Sequence, residues 1–205
     1  MKKYLLGLLF IHYYLFISPI GAQTVALKTE GQDPQYVETI KGRAQKIVDG
    51  LQLTDVQKAE NVRNIIANRY FLLNDIHAKY DKKTQEDALY AELYKHHFEL
   101  ASALALYLTE EQIDAVKDGM TYGRLKRDYN AQLEMIPTLT NEEKAQILIW
   151  LKEAREYAMD AADSKGKHFW FDKYRGRTNN WLSARGYDLK KERDEWMKRN
   201  AERSK

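Results

Sequence analysis

Residues 167–187 hold the densest set of side chains suited to recognition chemistry. On a helix, Trp170, Tyr174, Arg177 and Trp181 fall on one stripe, at offsets of 4, 7 and 11 residues. Aromatic faces stack on the apolar faces of sugar rings. Arg175, Arg177, Asn179 and Asn180 add the forked donors and amides that fix hydroxyls or carboxylates. His168 lies at the start of the same segment. A Trp/Tyr stripe at this spacing also suits a core, with Arg177 then paired to an acid. Gly176 costs about 1 kcal/mol inside a helix. A break is therefore expected there, with Asn179 and Asn180 in the turn that follows.

Other chemistries find less support. Glu92, His96 and Glu99 have acceptable ligand spacing, but the Glu-x-x-His partners that a bundle metal site draws from other helices are missing, so no metal is expected. Asp75 and His77 point apart on a helix. There is no Ser or Cys nucleophile motif and no glycine-rich phosphate loop, and no cofactor or nucleic-acid partner is expected. Glycoside hydrolysis needs two carboxylates about 5–10 Å apart, for which Asp118 is the one acid of interest. A lyase would use Tyr122 or Tyr174 as base beside Arg175 or Arg177.

These residues must be positioned by helices. Val37, Ile40, Ala44, Ile47, Val48 and Leu51 make one apolar stripe ending near Gly50. Further helix starts are expected at Thr54 with Gln57, Thr84 with Asp87, Thr109 with Gln112 and Thr140 with Glu143. The helix from Thr84 is expected to run through Leu108. Three of the starts repeat one phrase, Leu53-Thr54-Asp55-Val56-Gln57, Leu108-Thr109-Glu110-Glu111-Gln112 and Leu139-Thr140-Asn141-Glu142-Glu143. The phrase resembles the LTxxQ signature of small exported chaperones of envelope stress, although helix capping alone also generates it. No stretch alternates with period two, so the fold class is an all-α helical bundle. The helical period fails between Gly119 and Leu139, which reads as an ordered loop of about 20 residues. That loop would bring Asp118, Tyr122 and Arg124 against segment 167–187 in a single polar-aromatic cleft. A basic helix follows from Leu189 to Arg203, with Trp196 as its docking anchor.

At Val116-Lys117-Asp118-Gly119-Met120-Thr121-Tyr122-Gly123, and again at Lys173-Tyr174-Arg175-Gly176-Arg177, Asn179-Asn180 and Gly186-Tyr187-Asp188, the chain resembles a known family. This is the exported bacterial family called domain of unknown function 3826, which carries a sugar-binding label. The resemblance is strong over about 116–191 and weaker over about 36–115. The chain departs from the family's more apolar pattern at Arg124-Leu125-Lys126-Arg127-Asp128. The resemblance implies export and a carbohydrate ligand.

The N-terminus agrees with export. Lys2 and Lys3 precede an apolar run over residues 4–17; Ser18 and Pro19 break it, and small Gly21 and Ala22 follow. This reads as a signal peptide over 1–22, cleaved after Ala22, delivering a periplasmic or secreted protein without a membrane span. With no cysteine in the sequence, neither disulfides nor a cysteine-linked lipid anchor are available. Beyond the signal, we expect a flexible stretch over 23–33, one helical domain over 34–191 and a basic extension over 192–205. Residues 165–205 carry 13 Lys/Arg against 6 Asp/Glu, a net of +7, which suits a solvated helix face or an acidic polysaccharide. The leading expectation is a carbohydrate-binding accessory protein of polysaccharide utilisation. A chaperone-like or envelope-structural helical protein and an unrecognised carbohydrate-active enzyme are the alternatives.

Overall fold

The computed structural model describes residues 24–203, so the expected signal peptide lies outside the described residues. Within them the chain is all-α: α1 (Pro34–Asp49), α2 (Val56–Lys79), α3 (Glu86–His96), α4 (Glu99–Leu104), α5 (Glu110–Met120), α6 (Arg124–Met135), α7 (Asn141–Met159), α8 (Ser164–Ala184) and α9 (Leu189–Arg203). No strand occurs among the described residues, and no described helix is long and apolar enough to cross a membrane.

Burial divides the helices into two main apolar clusters. One joins α1, α2, α4 and α5 through Ile40, Ala44, Val62, Ile66, Leu104, Val116 and Met120. The other joins α6, α7 and α8 through Leu125, Ile147, Ala154, Phe171 and Leu182. A small third cluster seats α3 on the end of α2 through Leu73, Ile76, Leu89 and Leu93. Gly119 marks the closest approach of α5 to α1, where an added Cβ would lie 3.0 Å from Ile47 Cγ1.

Helix starts follow the capping chemistry in two cases. Thr109 and Thr140 each form the full reciprocal box with Gln112 and Glu143. At the Thr54 start the cap moves one residue: Asp55 accepts from the Lys58 N–H, and its carboxylate is at least as good a cap as a hydroxyl. The start expected at Thr84 is absent. There Asp81 accepts from the Lys83 amide and Gln85 folds back onto the Asp81 amide, closing a turn that delays α3 to Glu86.

Three further expectations are corrected. The helix expected to run unbroken to Leu108 breaks at His97 and Phe98, because Arg69 Nη1 donates to the His96 carbonyl at 2.8 Å and His97 turns to Asp160. The long loop after Gly119 is largely α6, entered through left-handed Tyr122 (φ 60) and Gly123 (φ 62) and stopped before Pro137. Leu125, Tyr129 and Leu133 supply its inner face. Finally, α8 passes through Gly176 without a break, and Asn179 and Asn180 are helical. Nothing lies within 4 Å of a Cβ built on Gly176, so neither crowding nor backbone conformation interrupts the helix there.

Residues 24–28 belong to the stretch expected to be flexible; they lie extended along α2, held by an asparagine ladder. Asn61 Oδ1 accepts from the Val25 amide at 2.9 Å, and Asn64 Nδ2 donates to the Val25 carbonyl at 2.8 Å. Asn68 both accepts from the Lys28 amide and donates to the Ala26 carbonyl. At the other end, α9 forms over the expected residues. Trp196 Nε1 donates to Glu134 at 3.3 Å, and Arg199 Nη2 to the Glu134 carbonyl at 2.9 Å.

Candidate functional site

A cleft of about 300 Å³ opens at the seam between the two main cores. Helix α1 contributes Tyr36 and Arg43, α2 contributes Tyr70, Asn74 and His77, and α8 contributes Lys167. The α7–α8 turn closes one side and Tyr122 another.

Tyr122 reaches the cleft through an unusual turn. The Gly123 amide donates to the Asp118 carbonyl at 2.8 Å, and the Tyr122 amide to the Gly119 carbonyl at 3.3 Å. Those are the two bonds of a Schellman ending, with tyrosine in the left-handed position that glycine normally fills. A non-glycine residue there carries backbone strain.

Behind the cleft stands Asp160, which ends α7. Its carboxylate accepts from Arg69 Nη2 at 2.5 Å and from His97 Nδ1 at 2.6 Å, so both lobes are engaged. Its backbone carbonyl accepts from His77 Nε2 at 2.8 Å. A carbonyl only accepts, so His77 Nε2 carries the hydrogen, and in the neutral ring Nδ1 bears the lone pair.

Lys167 is 4% exposed. Its ammonium donates to the Ala158 and Met159 carbonyls at 3.3 and 3.4 Å, long bonds to the orphan end of α7. Burial pushes its pKa down to about 8, against the opposing pull of Asp160. Burial likewise raises Tyr70 to about 12, although the Arg43 guanidinium, 5.5 Å from its ring centre, favours the phenolate. Among the described residues neither Arg43 nor Lys167 has a carboxylate ion-pair partner, whereas Arg69, Arg124 and Arg155 are all paired.

The residues singled out in the sequence are spread over several places. Tyr122 lines the cleft, and its ring centre lies 6.3 Å from that of His168, so the turn and the start of α8 do meet. Arg124 behind them is fully engaged, with Nη1 on His168 Nδ1 at 2.5 Å, Nη2 on Asp172 at 2.6 Å and Nε on Asp128 at 2.9 Å. Asp118 pairs with buried Arg155 at 2.7 Å, clamping α5 to α7. These two groups position helices.

The aromatic stripe faces α7 instead. Trp170 stacks on Tyr157 at 4.6 Å, and Trp181 meets Trp150 edge-on at 5.1 Å. Tyr174 is buried beside Tyr157. Arg177 covers Trp150 at 4.7 Å and pairs with Glu153 at 3.5 Å. Arg175 and Asn179 look the other way, into a groove of about 510 Å³ bounded by α6 and α9, and Asn180 is exposed. An unbroken helix of 21 residues spans about 30 Å, so its two ends cannot share one small cleft.

Tyr36, Arg43, Tyr70, Asn74 and Lys167 were not legible as a site, and His77 stood out only as a histidine. One signal was available: Tyr70, Asn74 and His77 follow each other at offsets of 4 and 7 on α2, placing polar groups along one helix face.

Residues 37–88 and 81–201 match a family described as "Protein of unknown function (DUF3826)". No curated protein matches the chain.

Proposed function

The chain belongs to the DUF3826 family, and we propose from its cleft that the protein is exported and binds an acidic saccharide at the seam between its two cores. One observation carries this reading: two cations without carboxylate partners, Arg43 and Lys167, line a cleft with three tyrosines. Phenol faces suit sugar rings, and cations without a carboxylate partner favour an anion. Asn74 adds a polar group for hydroxyls. The site is moderate in size, which fits one or two sugar units rather than a long chain.

Calorimetry against uronate-containing and neutral oligosaccharides tests the reading. The acidic set should bind and the neutral set should not, and Arg43→Ala should weaken binding about tenfold, or ~1.4 kcal/mol. Equal affinity for neutral sugars, or no binding at all, would overturn it.

A chaperone-like role is favoured by a different feature, the exposed Tyr94 and Phe98 beside the α3–α4 break. Suppression of client aggregation that is lost in Tyr94→Ser/Phe98→Ser would support that alternative.

A further inference from the structure

We propose that this cleft also cleaves its occupant, splitting 1,4-linked uronides by β-elimination with His77 Nδ1 as the base. The inference rests on the acidic-saccharide reading and adds a reaction to it.

The base is built by geometry. His77 is tethered through Nε2 to a backbone carbonyl at 2.8 Å, and no described group bonds to Nδ1. The tether is itself rigid, because the Asp160 carboxylate is held by Arg69 from α2 and by His97 from the α3–α4 break. A partner that fixes the tautomer and orientation of an imidazole is the arrangement that general-base catalysis requires.

Two other needs of the reaction are met at the same cleft. Removing a proton beside a carboxylate is feasible only when that carboxylate's charge is neutralised, and Arg43 and Lys167 are the cations available for it. The leaving glycosidic oxygen needs a proton donor. Tyr122 provides a half-exposed phenol whose backbone is fixed by the Schellman bonds. Hydrolysis does not fit, because the cleft lining contains a single carboxylate, Asp163, and that group caps α8 by accepting from the Gly166 amide at 2.7 Å. Elimination requires no carboxylate from the protein.

The step balances without a co-reactant. His77 Nδ1 takes the C5 proton; the released electron pair forms the C4=C5 double bond; the C4–O bond breaks, and its oxygen takes the Tyr122 proton. One product begins with a 4,5-unsaturated uronate at its non-reducing end, and the other keeps the bridging oxygen on C1 as a new reducing end. Proton exchange with water resets His77 and Tyr122.

The experiment pairs calorimetry with ultraviolet absorbance of the conjugated unsaturated uronate, using polygalacturonate, alginate and hyaluronan as probes and a neutral glucan as control. Absorbance should grow with at least one polyuronate and not with the glucan. His77→Gln keeps an amide donor for the Asp160 carbonyl but lacks the base, so turnover should fall at least ~100-fold while affinity is retained. If that variant does not fold, Tyr122→Phe, which preserves ring and backbone, should show the same separation of rate from affinity. Binding without the chromophore would overturn elimination and leave the binding reading intact. Absence of binding would overturn both. Wild-type turnover in His77→Gln would overturn the assignment of the base.

Discussion

Arg69 Nη2 and Asp160 Oδ1 lie 2.5 Å apart although 91 positions separate them in the chain, and the pair joins the middle of α2 to the end of α7. Both side chains are almost fully enclosed. Removing one partner of a buried pair strands a charge in a poorly solvating interior. Asp160→Asn should therefore cost about 3–5 kcal/mol in urea unfolding. Replacing both residues by apolar ones of similar size should recover much of that loss. If the single substitution costs less than 1 kcal/mol, the pair is solvated and this account is wrong.

The helix caps give a sharper test, because sequence and structure disagree at one of them. Thr109→Ala and Thr140→Ala should each destabilise by about 1 kcal/mol. Thr54→Ala should be nearly neutral, while Asp55→Ala should carry the cost, since Asp55 holds the Lys58 amide. Thermal melts of the four variants separate the two assignments directly.

Tyr122 should invert the usual ranking of small residues. In a helix interior, alanine is more stable than glycine. At φ 60 the left-handed backbone penalises any Cβ by about 1–2 kcal/mol, offset by about 0.5–1 kcal/mol of unfolded-chain entropy for glycine. Tyr122→Gly should thus match or exceed Tyr122→Ala in melting temperature, and both should lose ligand affinity with the ring. An alanine variant more stable than the glycine one would contradict the turn geometry.

Lys167 predicts an alkaline signature. Its pKa is about 8 when folded and near 10.5 when unfolded, so between those values the unfolded chain binds more protons. Stability should rise with pH across that window, by no more than ~3 kcal/mol. Tyr70 acts oppositely: held near 12, it keeps its proton in the fold while the unfolded phenol loses it above about 10, so stability falls again there. The maximum should therefore lie near pH 10. Lys167→Met should remove the rising limb, measured by urea titrations at stepped pH.

What the sequence made legible follows from locality. The caps at Thr109 and Thr140, the stripe of α1 and the span of α9 depend on residues within one or two turns, and local chemistry settles them. Helix α6 was hidden because Leu125, Tyr129, Leu133 and Met135 mark its inner face sparsely, among charged residues and between a left-handed entry and a proline. The α3–α4 break was invisible for another reason: Arg69, 27 residues away, takes the His96 carbonyl out of the helical ladder. The cleft gathers side chains from residue 36 to residue 167, and no spacing rule reaches across that distance. The strongest sequence signal, the aromatic stripe of α8, marked the seam with α7.

The two main cores share no apolar cluster, and the bonds across their boundary include the charged clamps of Arg69 with Asp160, Arg155 with Asp114 and Asp118, and Lys117 with Glu156. Charged clamps resist sliding through direction and distance, whereas interlocked side chains resist it through volume. The boundary is therefore held by direction rather than by volume, so the registration of one half against the other rests on a few charged groups. Since the cleft lies on that boundary, the same groups set its width. An occupant bridging Arg43 on one side and Lys167 on the other would stiffen the whole chain, raising the force and the cooperativity with which its halves come apart.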